Sequence, residues 1–147
     1  MRSYFYYNVN HAAYGLLYQV TCSLGKPYRI LEFSGPYKGS CADVTIFRRT
    51  ILHRLNHSER VLCDKAYRFE KKCLTSPVGK FRALSSSGRR QFIAISKIRQ
   101  INERVIERIK EWGVMKKKWN LTFDLHERCA KCVAKLTQVQ LLTNPLT

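Results

Sequence analysis

Val61-Leu62-Cys63-Asp64-Lys65-Ala66-Tyr67 sets a short apolar run against an acid and then a base. Val61, Leu62 and Cys63 read as the end of a short buried strand, with Asp64 at its carboxyl end. In an open α/β sheet, ligands meet the chain in the crevice beyond the carboxyl ends of the strands. Asp64 is therefore the first candidate for chemistry. A solvated aspartate in a strand-end turn accounts for the same local sequence, so the assignment depends on what the rest of the chain can bring to it.

Working outward toward the N-terminus, Asp43 stands where a helix could begin, followed by Val44, Ile46, Phe47, Ile51 and Leu52 at roughly helical spacing. Before it, Ser34–Ser40 reads as a loop. Residues 13–21 and 28–33 read as two strands of an antiparallel, hairpin-like pair, separated by the turn Ser23-Leu24-Gly25-Lys26-Pro27. Toward the C-terminus, Leu74–Lys80 reads as an extended segment and turn, and Ser85-Ser86-Ser87-Gly88 as a flexible link. From about Gln91 to Trp112 the pattern is helical, with Ile95, Ile98, Ile101, Val105, Ile109 and Trp112 as one apolar stripe. Gly113 is expected to stop that helix. The run Lys116-Lys117-Lys118 leads into a last helix from about Phe123 to Leu136.

Length and charge bound the classes. A chain of 147 residues suits one domain. It carries 27 Lys and Arg against 10 Asp and Glu, a net charge of +17. That excess suits a phosphate backbone or an anionic surface. No run of eighteen apolar residues is present, so no transmembrane helix is expected. Without a lipidation motif, nucleic acid is the better partner than membrane. The start, Met1 to Asn8, lacks the apolar core of a secretory signal, so an intracellular chain with its six cysteines as thiols is expected. Ribosomal, chromatin and nuclease classes all fit this charge.

The helix carries the acids that could meet Asp64. On a wheel of about 100° per residue, Glu103 lies at the border of the apolar stripe, while Glu107 and Glu111 turn progressively to solvent. A strand-end Asp and a helix-borne Glu in a basic chain suit phosphodiester hydrolysis with two Mg²⁺ or Mn²⁺ ions, which would sit about 3.5–4 Å apart.

The order of the motifs resembles a known family, the DDE superfamily of endonucleases, and within it the Harbinger-type transposases and nucleases derived from them. The resemblance runs from about Tyr6 to Pro145. Tyr6-Tyr7 and Tyr14-Gly15-Leu16-Leu17-Tyr18-Gln19-Val20 are similar to the family's opening hairpin. Gly39-Ser40-Cys41-Ala42-Asp43 is similar to its Gly-Ser-x-His-Asp element, with Ala42 for His. Asp64-Lys65-Ala66-Tyr67 is similar to Asp-Lys-Gly-Tyr, with Ala66 for Gly, and Leu74-Thr75-Ser76-Pro77 to the following Leu-x-x-Pro. Ser96, Arg99, Glu103, Arg104 and Lys110 keep the family's spacing around its third acid.

The resemblance implies an α/β fold, RNase H-like and retroviral-integrase-like, with a mixed sheet flanked by helices. It makes Asp64 the second acid and Glu103 the third, both catalytic and both ligands of a divalent cation, Mg²⁺ or Mn²⁺. It implies DNA as partner, allows a separate DNA-binding partner protein, and implies a nuclear location. The family's first Asp lies on a strand before the Tyr6-Tyr7 segment, and here no acidic residue precedes Glu32. One partial domain over residues 1–147 is expected, lacking the first strand and its acid and catalytically incomplete. Its core would be about residues 6–112, with a basic link and C-terminal helix over 113–147. The alternative is a non-catalytic, basic DNA-binding protein that keeps the scaffold.

Several signals have competing readings. Arg89, Arg90, Arg99, Arg104, Lys110, Lys116, Lys117 and Lys118 are candidates for phosphate contact, or for solvated and address-like clusters. Arg99 and Arg104 could instead hold Glu103 in place. Cys129-Ala130-Lys131-Cys132 with His126 invites zinc, but a second such pair is missing, and packing of both cysteines on one helix face is the simpler account. Cys63 reads as a buried strand residue. Tyr4 to Tyr7 could stack on bases or belong to a strand. Ala66 would be strained if its position needs positive φ.

Overall fold

The computed structural model describes residues 7–8, 13–77 and 79–146. Tyr4 to Tyr6 of the aromatic run lie outside the described residues. The chain forms two compact units, one from residues up to Ala42 and from Asn102 onward, the other from Asp43–Ile101.

In the first unit, β1 (Tyr7–Asn8) pairs antiparallel with β2 (Ala13–Tyr14). β3 (Leu16–Cys22) pairs antiparallel with β4 (Ile30–Lys38), from Leu16 opposite Lys38 to Cys22 opposite Ile30. The hairpin follows the expectation, but β4 runs on through Ser34–Lys38, where a loop was expected. A bulge is the reason. Leu17 faces Tyr37 while Gln19 faces Ser34, so two steps on β3 oppose three on β4. Gly35 sits there with φ +133°, and a Cβ would meet the Leu17 carbonyl and the Tyr18 ring, each at 2.7 Å. Pro36 donates no hydrogen bond and is tolerated where the ladder is already broken. Gly-Pro thus marks a bulge within the strand.

Against β4 packs α4 (Phe123–Thr143), seven residues longer than the expected end at Leu136. Its buried face, His126, Ala130, Val133, Ala134, Thr137 and Leu141, continues past that point at helical spacing. Thr122 caps its start by accepting from the Leu125 amide at 3.4 Å. Gln138 Oε1 accepts from the Ile30 amide at 2.6 Å, tying the helix to the first residue of β4. Tyr18 and His126 form the polar centre of this unit. The Val114 carbonyl can only accept, so His126 Nε2 donates to it at 3.2 Å. Nδ1 is then left to accept from the Tyr18 hydroxyl at 2.7 Å. Phe33 stacks on Tyr18 at 5.1 Å, and Trp119 meets the imidazole edge-on at 4.9 Å.

The second unit starts with α1 (Asp43–Thr50), which begins at Asp43 as expected and buries Ile46 and Phe47. Phe47 meets Tyr67 edge-on at 5.7 Å. Arg48 on the same helix pairs with Glu70. β5 (Val61–Leu62) and β6 (Cys73–Leu74) pair in parallel, Val61 with Cys73 and Leu62 with Leu74. Lys72 donates to the Asn56 and His57 carbonyls, which holds the loop before β5 against the chain entering β6.

α2 (Ser86–Glu111) gives its first part to this unit and its end to the other. It starts earlier than the expected Gln91 and absorbs most of the serine-rich link. The Ser85 hydroxyl accepts from the Gly88 amide at 3.2 Å, so the supposed link is a capped first turn. Of the expected stripe, Ile95, Val105 and Ile109 are buried, while Ile98, Ile101 and Trp112 are half-buried. α2 stops at Glu111, close to the stop expected at Gly113, because Trp112 leaves the helical region at ψ 130°; Gly113 then opens a separate short helix, α3 (Gly113–Lys116).

The fold is mixed α/β. Among the described residues the strands form three two-stranded sheets, where one mixed sheet was expected. β5 is cut short because Asp64, two residues on, turns the chain into a 3₁₀ helix. Among the described residues no helix is long and apolar enough to cross a membrane.

Burial, with the charges of Glu127 and Cys129 behind it, pushes the Tyr18 phenol from 10.0 up to about 12. The folded state therefore holds the protonated phenol more firmly, and that contribution is whole below about pH 10 and lost as pH rises toward 12. Tyr18→Phe should cost about 1–2 kcal/mol at neutral pH by leaving His126 Nδ1 unsatisfied. In urea unfolding, the gap between the two proteins should narrow above pH 10.

Candidate functional site around Asp64

Asp64 follows β5 and Cys63 in extended backbone, φ −71° and ψ 168°, and caps a 3₁₀ helix over Lys65–Tyr67. Its Oδ1 accepts from the Lys65 amide at 2.6 Å. Arg99 Nη1 lies 3.3 Å from the same oxygen, with 58% of the Asp64 side chain exposed. Both contacts fall on Oδ1. Ala66 occupies the middle of the 3₁₀ turn, a right-handed conformation that alanine adopts without strain.

The local sequence explains this arrangement. Aspartate at the end of a strand can stop the ladder and satisfy the first free amide of a turn in one step. Tyr67 then packs inward on Phe47, which fixes the turn against α1. Two cations follow the acid. Lys65 and Arg68 line a cleft with Ser76, Pro77 and Gly79. The Arg68 guanidinium also lies 5.3 Å from the centre of the Phe69 ring, which is 88% exposed.

The other acids are on α2. Glu103 is exposed, as are Glu107 and Glu111, so exposure does not separate the candidate from its neighbours. Asp64 belongs to the unit of Asp43–Ile101 and Glu103 to the other. Among the described residues, no group of three or more His, Cys, Asp or Glu side chains gathers in a metal-holding cluster. The donor chemistry at Asp64, an accessible carboxylate, suits a hard divalent cation. A cation arriving there meets Arg99 already beside Oδ1.

The basic candidates are held differently from one another. Arg89 donates to the Leu84 and Arg82 carbonyls, each at 3.0 Å, and its guanidinium lies 6.0 Å from the centre of the Phe81 ring. Those contacts brace the turn before α2. Arg90, Arg104, Lys110, Lys116, Lys117 and Lys118 are exposed. Arg99 reaches Asp64, a contact that the sequence, which offered it to Glu103 or to phosphate, did not single out. At the proposed zinc cluster, both ring nitrogens of His126 are engaged by Tyr18 and Val114. Cys129 is half-buried, whereas Cys132 is exposed and lies outside the packed face assumed for it.

A family model described as DDE superfamily endonuclease matches residues 1–139. This chain belongs to that superfamily. No curated protein and no solved structure matches it. The DDE match spans Asp64, Glu103 and every basic candidate up to Lys118, and ends within α4.

Sequence reasoning missed Lys65, Arg68 and the Asp64–Arg99 contact. The run Asp64-Lys65-Ala66-Tyr67-Arg68 carried a signal for the first two, because it sets two cations within one turn of the acid. The third joins residues 35 positions apart and has no local signal.

The cap separates two roles of Asp64. Asp64→Asn keeps an oxygen for the Lys65 amide and should cost only a few tenths of a kcal/mol, whereas Asp64→Ala should cost about 1 kcal/mol. Urea unfolding of both variants checks this, and Asn is the replacement that isolates the carboxylate charge.

Proposed function

We propose that this chain is a transposase-derived DDE domain of the Harbinger type, with DNA as its substrate and an RNase H-like fold as its ancestry. The observation that carries this reading is the family match over residues 1–139, a range that covers both Asp64 and Glu103. Asp64 and Glu103 are the residues that would hold Mg²⁺ or Mn²⁺. When bound, the cations would neutralise charge building on the phosphoryl oxygens and ease ionisation of the attacking water. Arg99 precedes Glu103 by one turn of α2, and beside Asp64 it neutralises that carboxylate until a cation or a phosphate displaces it. Lys65 and Arg68 supply positive charge to a strand passing Asp64. Arg90, Arg104, Lys110 and Lys116–Lys118 supply longer-range attraction, and the same clusters favour a nuclear location.

Two family acids are present and none precedes Glu32, so residues 1–147 by themselves should cleave DNA weakly or not at all with Mg²⁺ or Mn²⁺. Robust cleavage lost in Asp64→Asn would overturn that expectation and establish a working site.

A second reading is a DNA-binding protein without catalysis. It is favoured by Oδ1 of Asp64 being taken up by the Lys65 amide and Arg99. It expects DNA binding that needs no divalent ion and survives Asp64→Asn and Glu103→Gln. Under either reading, replacing Lys116, Lys117 and Lys118 by Ala should weaken binding across unrelated sequences. It should also lower the slope of log K against log salt by about 2–3, since each phosphate contact contributes about 0.9. Fluorescence anisotropy over a salt series measures both.

A further inference from the structure

Cys63 and Cys73 lie across the β5–β6 pair with their sulfur atoms 3.0 Å apart. The parallel register brings this about. Val61 pairs with Cys73, so Cys63, two residues on, lies on the same face as Val61. The Cys63 amide donates to the Leu74 carbonyl at 2.8 Å, which holds its backbone against β6 beyond the last paired residue. Both side chains are half-buried, and the nuclease reading uses neither.

We propose that Cys63 and Cys73 form a reversible disulfide, a modification site that ties the residue before Asp64 to β6. The oxidant class is a low-molecular-weight disulfide such as oxidised glutathione. The Cys63 thiol points its hydrogen at the Cys73 sulfur. The Cys73 thiolate attacks one glutathione sulfur, breaking that S–S bond and expelling a glutathione thiolate. Cys63 then gives its proton to solvent and attacks the Cys73 sulfur, forming the internal bond and expelling the second glutathione thiolate. Two electrons pass from the protein thiols to the oxidant, and the two released thiolates take up the two protons. Closing from 3.0 Å to a bond length of about 2.05 Å needs a shift of about 1 Å.

The bond would enclose Asp64, its 3₁₀ turn and Glu70 in one short loop. Nothing in this step involves DNA or a metal ion, so it stands or falls apart from the nuclease reading.

The test uses the reduced 147-residue chain in mildly alkaline glutathione buffers of graded redox ratio, quenched with acid, alkylated and digested without reductant. Mass spectrometry should find a peptide joining Cys63 to Cys73, lighter by two hydrogens and reversed by dithiothreitol, while Cys22, Cys41, Cys129 and Cys132 are recovered alkylated. Cys63→Ser and Cys73→Ser should each abolish it and leave the remaining thiol as a glutathione adduct. Recovery of both cysteines separately alkylated, a statistical mixture of pairings, or linkage only in urea would overturn the proposal. In the oxidised chain, amide exchange over Lys65–Glu70 should slow at least several-fold, and unchanged exchange would refute the tether.

Discussion

Twenty-seven basic side chains share this chain with ten acidic ones, so each carboxylate folds among a surplus of cations. The pairs show it. Glu70 takes Arg48, Asp64 takes Arg99, Asp124 takes Arg128 and Glu127 takes Lys131. The exposed pairs among them contribute little stability each, about 0–1 kcal/mol, whereas the Glu70 side chain is only 10% exposed. Their larger effect is on availability. An acid that serves a cation-dependent site must first part from a guanidinium, and the unpaired excess of positive charge acts outward on anionic partners.

Asp64 concentrates this conflict. One oxygen closes a strand, starts a turn and receives Arg99, three structural tasks for an atom that the proposed reading also gives to a metal ion. A metal ion and a guanidinium compete for such a position, and the chain's balance of charge favours the guanidinium.

The two units are stabilised in different ways. Around Tyr18 and His126, burial and a hydrogen bond reinforce one another: the ring stack excludes water, and the bond satisfies polar atoms that the stack has buried. Around Asp64 the restraints are two-residue strands, small apolar contacts and the ion pairs Arg48–Glu70 and Arg99–Asp64, with Ile46, Phe47, Ile51 and Ile95 buried among the described residues. Asp64, with 58% of its side chain exposed, is thus open to ligands.

By itself the sequence determined the elements whose signal is periodic or capped. The α2 stripe, the start of α1 at Asp43, the β3–β4 hairpin and the order of the family motifs were all legible, because local spacing carries them. It also determined the charge, which narrows the classes of partner to anionic ones. Element limits set by contacts escaped it: α4 extends past Leu136 because its buried face continues against β4, and β4 extends past Ser34 because a bulge absorbs Gly35-Pro36. Only the tertiary structure decided that His126 serves Tyr18, that Arg99 serves Asp64, and that Cys63 faces Cys73. Each joins residues remote in sequence, and a distance between such residues is a property of packing, which no local pattern encodes.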